Sequence, residues 1–551
     1  MTADDATLLA GRVQTLLSLY GREDACVAHL LCDGHEPDRL AYRIVPAEGP
    51  TQRITYRDLT AASGRLASAF RDLGLGPGDR VATLMGKSAE YLVTLLAIWR
   101  LGAVHVPLFT AFAPPAIEFR LKAANCKLVV CDAAQRPKLR AGPDVPDDTP
   151  WRILNTGPGE PGDLRFDDVL RAVRSPLPAA CVGGDAPVIQ IYTSGTTGTP
   201  KGVVVPVRAL ASFQAYAEFG LGLQADDVFW NAADPGWGYG LYFGVLAALT
   251  TGCAGTFVAG AFAAETTYRV LESEGVTNFA AAPTVYRSLR VAETPPPPGL
   301  RLLRASSAGE PLTPDVNAWA VSALGVAVHD HYGQTETGML INNHPHPALA
   351  APLKAGCVGR AAPGWKVTVL ALDDDAPAPV DTVGRLAVEA PESPFFWFEG
   401  YVDDPKRSAE KFSPDGRWYY TGDVGRADAD GDFYFASRDD DVILMAGYRI
   451  GPFEVESVIM QHAAVAECAV LALPDDIRGE VLEAVVVVRE GVQPSTELTR
   501  EIQSLVKTGF AAHAYPRRVH YLDTLPKTPS GKVQRFVLRQ RLTPPAAGGA
   551  S

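Results

Sequence analysis

The chain has 551 residues, 47% hydrophobic and 21% charged, a size and balance that exclude a disordered or fibrous protein and require more than one folded domain. Its net charge of −13 excludes a protein whose main partner is nucleic acid, although a local lysine and arginine cluster can still hold a phosphate ligand. Eight cysteines are scattered with no C-x-x-C pair and no zinc spacing, and the acidic start MTADDATLL is no signal peptide, so a reducing cytoplasm is expected.

An amphipathic helix over 7–20 leads in. ITYRDLTAASGRLASAFRDLGLGPGDRVATLM then predicts a helix over 56–73, with Leu59, Leu66 and Phe70 on one side, and a Gly-Pro-Gly-Asp turn into a strand. YLVTLLAIWRLGAVHVPL and IEFRLKAANCKLVVCD repeat the alternation, which predicts an α/β fold on mostly parallel sheets. His105, set between valines, reads as a core histidine, and the Pro-, Gly- and Asp-rich stretch 137–187 as surface loops.

Next comes IQIYTSGTTGTPKGVVVP, where two β-branched runs flank Thr193, Ser194, Gly195, Thr196, Thr197, Gly198, Thr199, Pro200, Lys201 and Gly202. Nothing in that loop can pack a core. Glycines admit a bulky anion, hydroxyls donate to its oxygens and one lysine adds charge, which is the chemistry of a polyphosphate cradle. The common P-loop needs Gly-Lys followed by Ser/Thr at a helix start, whereas Lys201 precedes Gly202 and a valine run. Strand, loop, strand is the predicted local form.

After a helix over 207–219, DDVFWNAADPGWGYGLYFGVLAAL supplies Trp230, Trp237, Tyr239, Tyr242 and Phe243, residues able to build either core or a ligand pocket. The uncharged run 236–264 is long enough to cross a bilayer, but TTGCAG divides it into a helix and a short strand, against a membrane span. RASSAGEPL ends a strand in small residues that let a flat base approach. HDHYGQTETG gathers an aromatic, an amide, two hydroxyls and a carboxylate in one turn. The H-x-H pairs at His329, His331 and His344, His346 lack further ligands and read as ordinary loop histidines. FFWF at 395–398 is unusually aromatic and has no assigned role in the sequence.

Asp423 stands at a tight turn in GRWYYTGDVG, followed by the charge knot Arg438-Asp439-Asp440-Asp441 and a Gly-Tyr-Arg-Ile-Gly turn. Composition then shifts to a compact α+β pattern, with a helix over 452–461, strands over 466–473 and 484–489 and a helix over 497–509. This divides the chain into a domain over 1–437, a hinge over 438–441, a small domain over 442–541 and a disordered tail over 542–551. LPKTPSGKVQR lies near the end.

YTSGTTGTPKG, AGEP, YGQTETG, YTGD, SRDDDVI, GYRIGPFEVES and PKTPSGK, in this order from about residue 50 to about residue 540, resemble the AMP-forming acyl-CoA synthetases of the adenylate-forming superfamily. The branch that GYRIGPFEVES and LPDDIRGEVLEAVVV resemble most is that of the acetyl- and medium-chain acyl-CoA synthetases. The resemblance implies a large domain of parallel sheets plus a distorted β-barrel, and a small mobile C-terminal domain. It also implies ATP, Mg2+, coenzyme A and a small carboxylic acid as ligands, acting in two half-reactions.

By that resemblance the Thr193–Lys201 loop holds the β- and γ-phosphates, and Glu336 holds Mg2+. Gly309, Glu310 and Pro311, with Asp330, His331 and Tyr332, frame the adenine, and Gly333 and Gln334 also belong to the ATP/AMP site. Thr335 meets the α-phosphate, Asp423 accepts from the ribose hydroxyls with help from Arg438, and Arg449 serves the adenylate phosphate. Lys532 bridges the attacking carboxylate and the α-phosphate, and its acetylation would silence that step. Rotation about Asp440 then brings Ala446 and Gly447 to the pantetheine path, with Lys507 at the CoA 3′-phosphate.

Acetyl-CoA synthetases have tryptophan where this chain has Gly333, and serine at Ala446. The glycine implies room for an acid larger than acetate, medium-chain or aromatic, with Trp237, Tyr239, Tyr242, Pro283 and Tyr286 as candidate walls. Three readings stay open: CoA as acceptor, another acceptor (a carrier-protein phosphopantetheine or an amine), and a non-catalytic nucleotide sensor. A homodimer is compatible with the pattern.

Overall fold

Short apolar strands separated by amphipathic helices have one stable solution, parallel sheets covered on both faces by the helices. The protein, seen in a computed structural model, takes that solution twice. The structure describes residues 3–172, 175–193, 200–310, 312–438, 443–445, 448–450, 452–475, 479–509, 514–527 and 533–542.

The helix Tyr56–Asp72 is started by a reciprocal cap, in which the Thr55 hydroxyl accepts from Asp58 N and the Asp58 carboxylate accepts from Thr55 N. Leu59, Leu66 and Phe70 are buried, on the face that the sequence predicts. Helix Ala89–Arg100, capped by Ser88, is buried nearly all round between this helix and the sheet. The first sheet has seven strands in the order Leu164–Arg165, Arg152–Asn155, Cys126–Cys131, Arg80–Leu84, Val104–Pro107, Pro187–Thr193 and Lys201–Pro206. All neighbours are parallel except the last pair, an antiparallel hairpin at the edge.

Residues 137–187 therefore differ from a plain loop. Arg152–Asn155 pairs in parallel with Cys126–Cys131, and Phe166–Ala172 is helical. Four residues are too few to show a period, and only the preformed neighbouring strand selects their conformation.

The second sheet has nine strands, with a parallel centre running Val328–Gln334, Arg304–Ala308, Asn278–Ala281, Val228–Asn231, Ala254–Val258 and Leu40–Val45. Antiparallel strands close both edges. The uncharged run 236–264 becomes a helical stretch with a π-wound segment, Leu241–Leu246, and then the strand Ala254–Val258. Among the described residues no helix is long and apolar enough to cross a membrane. His105 is fully buried with its Nε2 2.8 Å from the Thr83 hydroxyl, the core histidine expected.

A four-stranded antiparallel sheet follows, Val367–Leu370, Gly384–Glu389, Trp418–Ala427 and Phe433–Arg438, curled into a half-barrel. Beyond it lies a smaller α+β unit. Its sheet joins Tyr448–Ile450, Ile443–Met445, Gly479–Val488 and Val465–Asp475, with Arg518–Tyr521 parallel to Gly479–Val488. Helices Pro452–Ile459 and Thr496–Gly509 cover it through Val455, Ile459, Leu498, Ile502 and Val506. In the two large sheets the motif-bearing strands end at Thr193, Ala308 and Gln334, and open α/β sheets bind their ligands at such carboxyl ends.

Candidate active site

Strands Pro187–Thr193 and Lys201–Pro206 pair from Ile189–Val205 down to Thr193–Lys201, so the cradle opens at the last rung of a hairpin. Ser194, Gly195, Thr196, Thr197, Gly198 and Thr199 lie outside the described residues. The Lys201 ammonium sits 4.5 Å from the centre of the Tyr401 ring, a cation–π arrangement. Pro200 and Lys201 also border a cavity of about 610 Å³ shared with Phe119, Tyr192, Asp403 and Arg407.

The second wall comes from the strand Arg304–Ala308. It ends at Gly309, whose φ of +99° lies in the left-handed range, and a Cβ there would meet the Trp237 ring at 2.9 Å. The Glu310 carboxylate is held by Arg287 at 2.5 Å, while its Oε1 is buried without a partner among the described residues. Pro311 lies outside the described residues.

The strand Val328–Gln334 supplies the third wall. Asp330 Oδ2 accepts from Leu312 N at 3.1 Å, Oδ1 is buried without a partner among the described residues, and burial pushes the carboxyl up to about 8. His331 is locked between the Tyr216 hydroxyl (2.7 Å) and the Asn343 carbonyl (3.3 Å). Burial, then neighbouring His329 and His344, hold it well below the ordinary histidine range, so it is a neutral hydrogen-bonding group. His329 and His344 likewise contact the Asn343 and Phe219 carbonyls, at 2.8 Å and 3.2 Å.

Tyr332, Gln334 and Asp423 form one network. The Tyr332 hydroxyl donates to Asp423 Oδ2 at 2.5 Å and Gln334 Nε2 donates to the same oxygen at 2.6 Å. Gln334 is in turn fixed by the Thr421 carbonyl (2.9 Å) and the Tyr419 hydroxyl (3.1 Å). Asp423, 4% exposed, pairs across its strands with Arg438. The side chains of Arg438 and Arg449 lie outside the described residues, as do Asp440, Ala446, Gly447 and Lys532.

Glu336 is buried, accepts from the Tyr401 hydroxyl at 2.8 Å, and has no cationic partner among the described residues. A buried carboxylate that accepts from a phenol and faces no cation among the described residues fits a divalent cation such as Mg2+. Asp330 Oδ1 and Glu310 Oε1, buried and without a partner among the described residues, likewise fit a nucleobase that brings its own polar edge.

Of the expected acyl walls, Tyr242 stacks on Phe213 (4.4 Å) and its hydroxyl reaches the Thr335 carbonyl at 3.4 Å. The Cα hydrogens of Gly238 face the Thr335 hydroxyl, the Tyr242 ring and Ile191, each 3.6–3.9 Å from where a Cβ would be. Tyr239 and Pro283 are buried. Tyr286 is fully buried, with its hydroxyl on the Ser306 and Phe279 carbonyls, which makes it a core residue.

Gly333 does not open space as the sequence implies. A register shift separates it from Tyr332, and a Cβ there would run into Gly338 O, with Met339 Cα at 2.7 Å and Gly338 C at 2.8 Å. The missing side chain is taken up by the hairpin's own backbone. Lys507 lies 4.0 Å over the Tyr515 ring, with the Arg517 guanidinium at the same distance from it.

Sequence reasoning passes over Tyr401, and the FFWF segment is its signal. Trp397 packs edge-on to Phe213, Phe396 against Tyr419, and Phe398 against Tyr401, Phe412 and Tyr419. These rings form the bed under Tyr401 and Tyr419, and thus under Glu336 and Gln334. Asp428, Asp430 and Asp432 cluster elsewhere, but Lys354 Nζ already sits 2.6–2.7 Å from all three.

A hairpin that ends in a glycine- and hydroxyl-rich sequence, a buried carboxylate with no cationic partner among the described residues and a tyrosine–glutamine–aspartate network are the features a nucleotide-using enzyme needs. Residues 32–402 match the family model described as AMP-binding enzyme, and 454–532 that described as AMP-binding enzyme C-terminal domain. The acetyl-coenzyme A synthetase of Bacillus subtilis is 34% identical over 497 residues, 89% of this chain and 85% of its own length. The crystal structure of a Brucella canis acyl-CoA synthetase, 39% identical, superposes with a TM-score of 0.74 over 98% of each chain. A benzoate CoA ligase from Burkholderia xenovorans, 26% identical, gives 0.80 over 96% of this chain and 99% of its own. The chain belongs to the AMP-binding enzyme family, as an AMP-forming acid–thiol ligase, and the cofactors of that family are ATP, Mg2+ and coenzyme A.

Proposed function

We propose that this enzyme converts a carboxylic acid larger than acetate, aromatic or medium-chain, into its CoA thioester through an acyl-adenylate. The observation that carries the choice of acid is the aromatic segment Trp237–Phe243, which approaches Thr335 through Gly238 at the place assigned to the α-phosphate. Aromatic walls at the carboxylate's end favour a substrate with apolar area to bury.

In the first half-reaction the acid's carboxylate attacks the α-phosphate and pyrophosphate leaves. Two anions must meet, so positioned donors and cations carry the step. Lys201 and the hydroxyls of the 193–199 loop take the outer phosphates, and Thr335 faces the inner one. Asp423, held by Tyr332 and Gln334, accepts from the ribose, and Asp330 and Glu310 receive the base. Mg2+ held at Glu336 would neutralise the β- and γ-phosphates.

Lys532 places an ammonium between the reacting groups. The domain over 442–541 then turns on the hinge 438–441 at Asp440, withdrawing Lys532 and bringing Ala446 and Gly447 to the thiol's path. Arg438 and Arg449 serve the ribose and the adenylate phosphate, and Lys507 the CoA 3′-phosphate.

The test is a panel of acids assayed for ATP- and CoA-dependent AMP formation. A benzoate- or hexanoate-sized acid is expected to exceed acetate in kcat/KM; acetate as the best substrate would refute the assignment of the acid. Pyrophosphate exchange without CoA-dependent AMP release would shift the acceptor to a carrier protein or an amine. Lys532→Met should lower acid-dependent pyrophosphate exchange by at least about a hundredfold, while a pre-made acyl-adenylate still passes to CoA. Unchanged exchange in that variant would refute the role of Lys532.

A further inference from the structure

Tyr401 occupies a position that the reaction as set out leaves unused. It is 6% exposed, and one side chain touches two separate stations: its ring lies under the Lys201 ammonium and its hydroxyl donates to Glu336 Oε1. The backbone holds it there from both sides. Tyr401 bridges Val203 in antiparallel fashion, and Val402 N donates to the Gly202 carbonyl at 2.9 Å, so its strand continues from the cradle hairpin. On the other side Tyr401 N donates to the Ser408 hydroxyl at 2.8 Å, and the Phe398 ring closes against it at 5.1 Å.

We propose that Tyr401 is a positioning residue that sets the separation between the cradle lysine and the metal-binding carboxylate, so that the outer phosphates and their Mg2+ are gripped as one unit. This rests on the assignment of Lys201 to the outer phosphates and of Glu336 to Mg2+. Lysine and glutamate at this proximity to one phosphate site would otherwise collapse into an ion pair, cancelling the charges the ligand needs. A single phenol prevents this, because its π face accepts the cation while its edge hydroxyl satisfies the anion. Among the described residues neither Lys201 nor Glu336 makes an ion pair with the other or with any third group.

The two contacts can be removed separately. Tyr401→Phe keeps the ring and deletes the hydroxyl; Tyr401→Leu deletes both. Mn2+ binding to the enzyme–ATP complex, without acid, is read by electron paramagnetic resonance, alongside Mg2+ and ATP dependence of pyrophosphate exchange. Loss of one donor to a buried carboxylate predicts about a tenfold weaker Mn2+ affinity and a matching rise in the Mg2+ midpoint for Tyr401→Phe, with the KM for ATP at saturating Mg2+ little changed. Tyr401→Leu adds about a fivefold rise in the KM for ATP. Both variants should still convert a pre-made acyl-adenylate to thioester at the parent rate.

In a Glu336→Gln background, Tyr401→Phe should produce no further change in Mn2+ affinity. Tyr401→Phe with parent Mn2+ affinity, or with equal losses in both half-reactions, would overturn the proposal while leaving the proposed function intact. Glu336→Gln with parent Mn2+ affinity would instead overturn the metal assignment on which both depend.

Discussion

Replacing Gly333 by alanine adds one methyl group and should disable the enzyme. The added Cβ would lie 2.7 Å from Met339 Cα and 2.8 Å from Gly338 C, with Gly338 O nearer still. Carbon pairs rest at about 3.5–4.0 Å, so the hairpin must part by roughly 1 Å, and no flexible side-chain end is there to yield. Overpacking of this kind costs about 1–3 kcal/mol.

The displacement falls between Tyr332 and Gln334, whose two donors reach Asp423 Oδ2 at 2.5 and 2.6 Å. Misplacing a positioning group by about 1 Å can cost on the order of a hundredfold in rate. Urea unfolding should therefore show a loss of about 2 kcal/mol, and pyrophosphate exchange a fall in kcat/KM for ATP approaching a hundredfold. Gly333→Trp should lower turnover of all acids alike, rather than of large acids selectively. Parent stability and parent ATP kinetics in Gly333→Ala would refute the steric argument.

Tyr332→Phe removes a donor to Asp423 and should raise the KM for ATP about tenfold, with a smaller effect on kcat, in steady-state kinetics; an unchanged KM would count against the ribose assignment. Acid sensitivity follows from buried groups of opposite sign. Burial lowers His105 to about 3 and His344 to about 4, so their contribution is complete above the unfolded histidine value of 6.5 and is lost as pH falls through it, roughly 2 kcal/mol each between about pH 7 and about pH 5. Asp330, raised to about 8 by burial, keeps its proton in the folded state while the unfolded chain has lost it, and so returns roughly 3 kcal/mol over the same interval. Asp330→Asn deletes only that return, and urea midpoints should fall more steeply with acid by about that amount; an equal slope would show that Asp330 is ionised in the fold.

The parts of this protein that were legible in its sequence are those where local chemistry and tertiary role coincide. Leu59, Leu66 and Phe70 repeat at helical spacing because one face is buried, chiefly against helix Ala89–Arg100, and the two strands of the cradle hairpin read as strands because β-branched runs end there at glycines and hydroxyls. His105 could be assigned to the core from its valine neighbours. Three features were not legible, each for a spatial reason. The strand Arg152–Asn155 exists only because a neighbour is there to pair with it. Gly333 invites a reading in terms of volume, but the direction of its absent side chain depends on a register shift in a hairpin. Tyr401 lies 65 residues from Glu336, and only the folded chain shows that FFWF, otherwise surplus, is what seats it.

The segment Leu241–Leu246 is π-wound and carries Tyr242 and Phe243, whereas the groups assigned to the nucleotide sit on strands and their ends. A π turn holds one residue more than the α turn it replaces, so it can lose or regain that residue while the helix on either side keeps its place. Strands have no such slack, since a one-residue slip reverses every side chain beyond it. With this segment assigned to the acid as proposed, descendants of this chain can change diet by a single deletion in that turn while the energy-spending half of the machine stays unaltered.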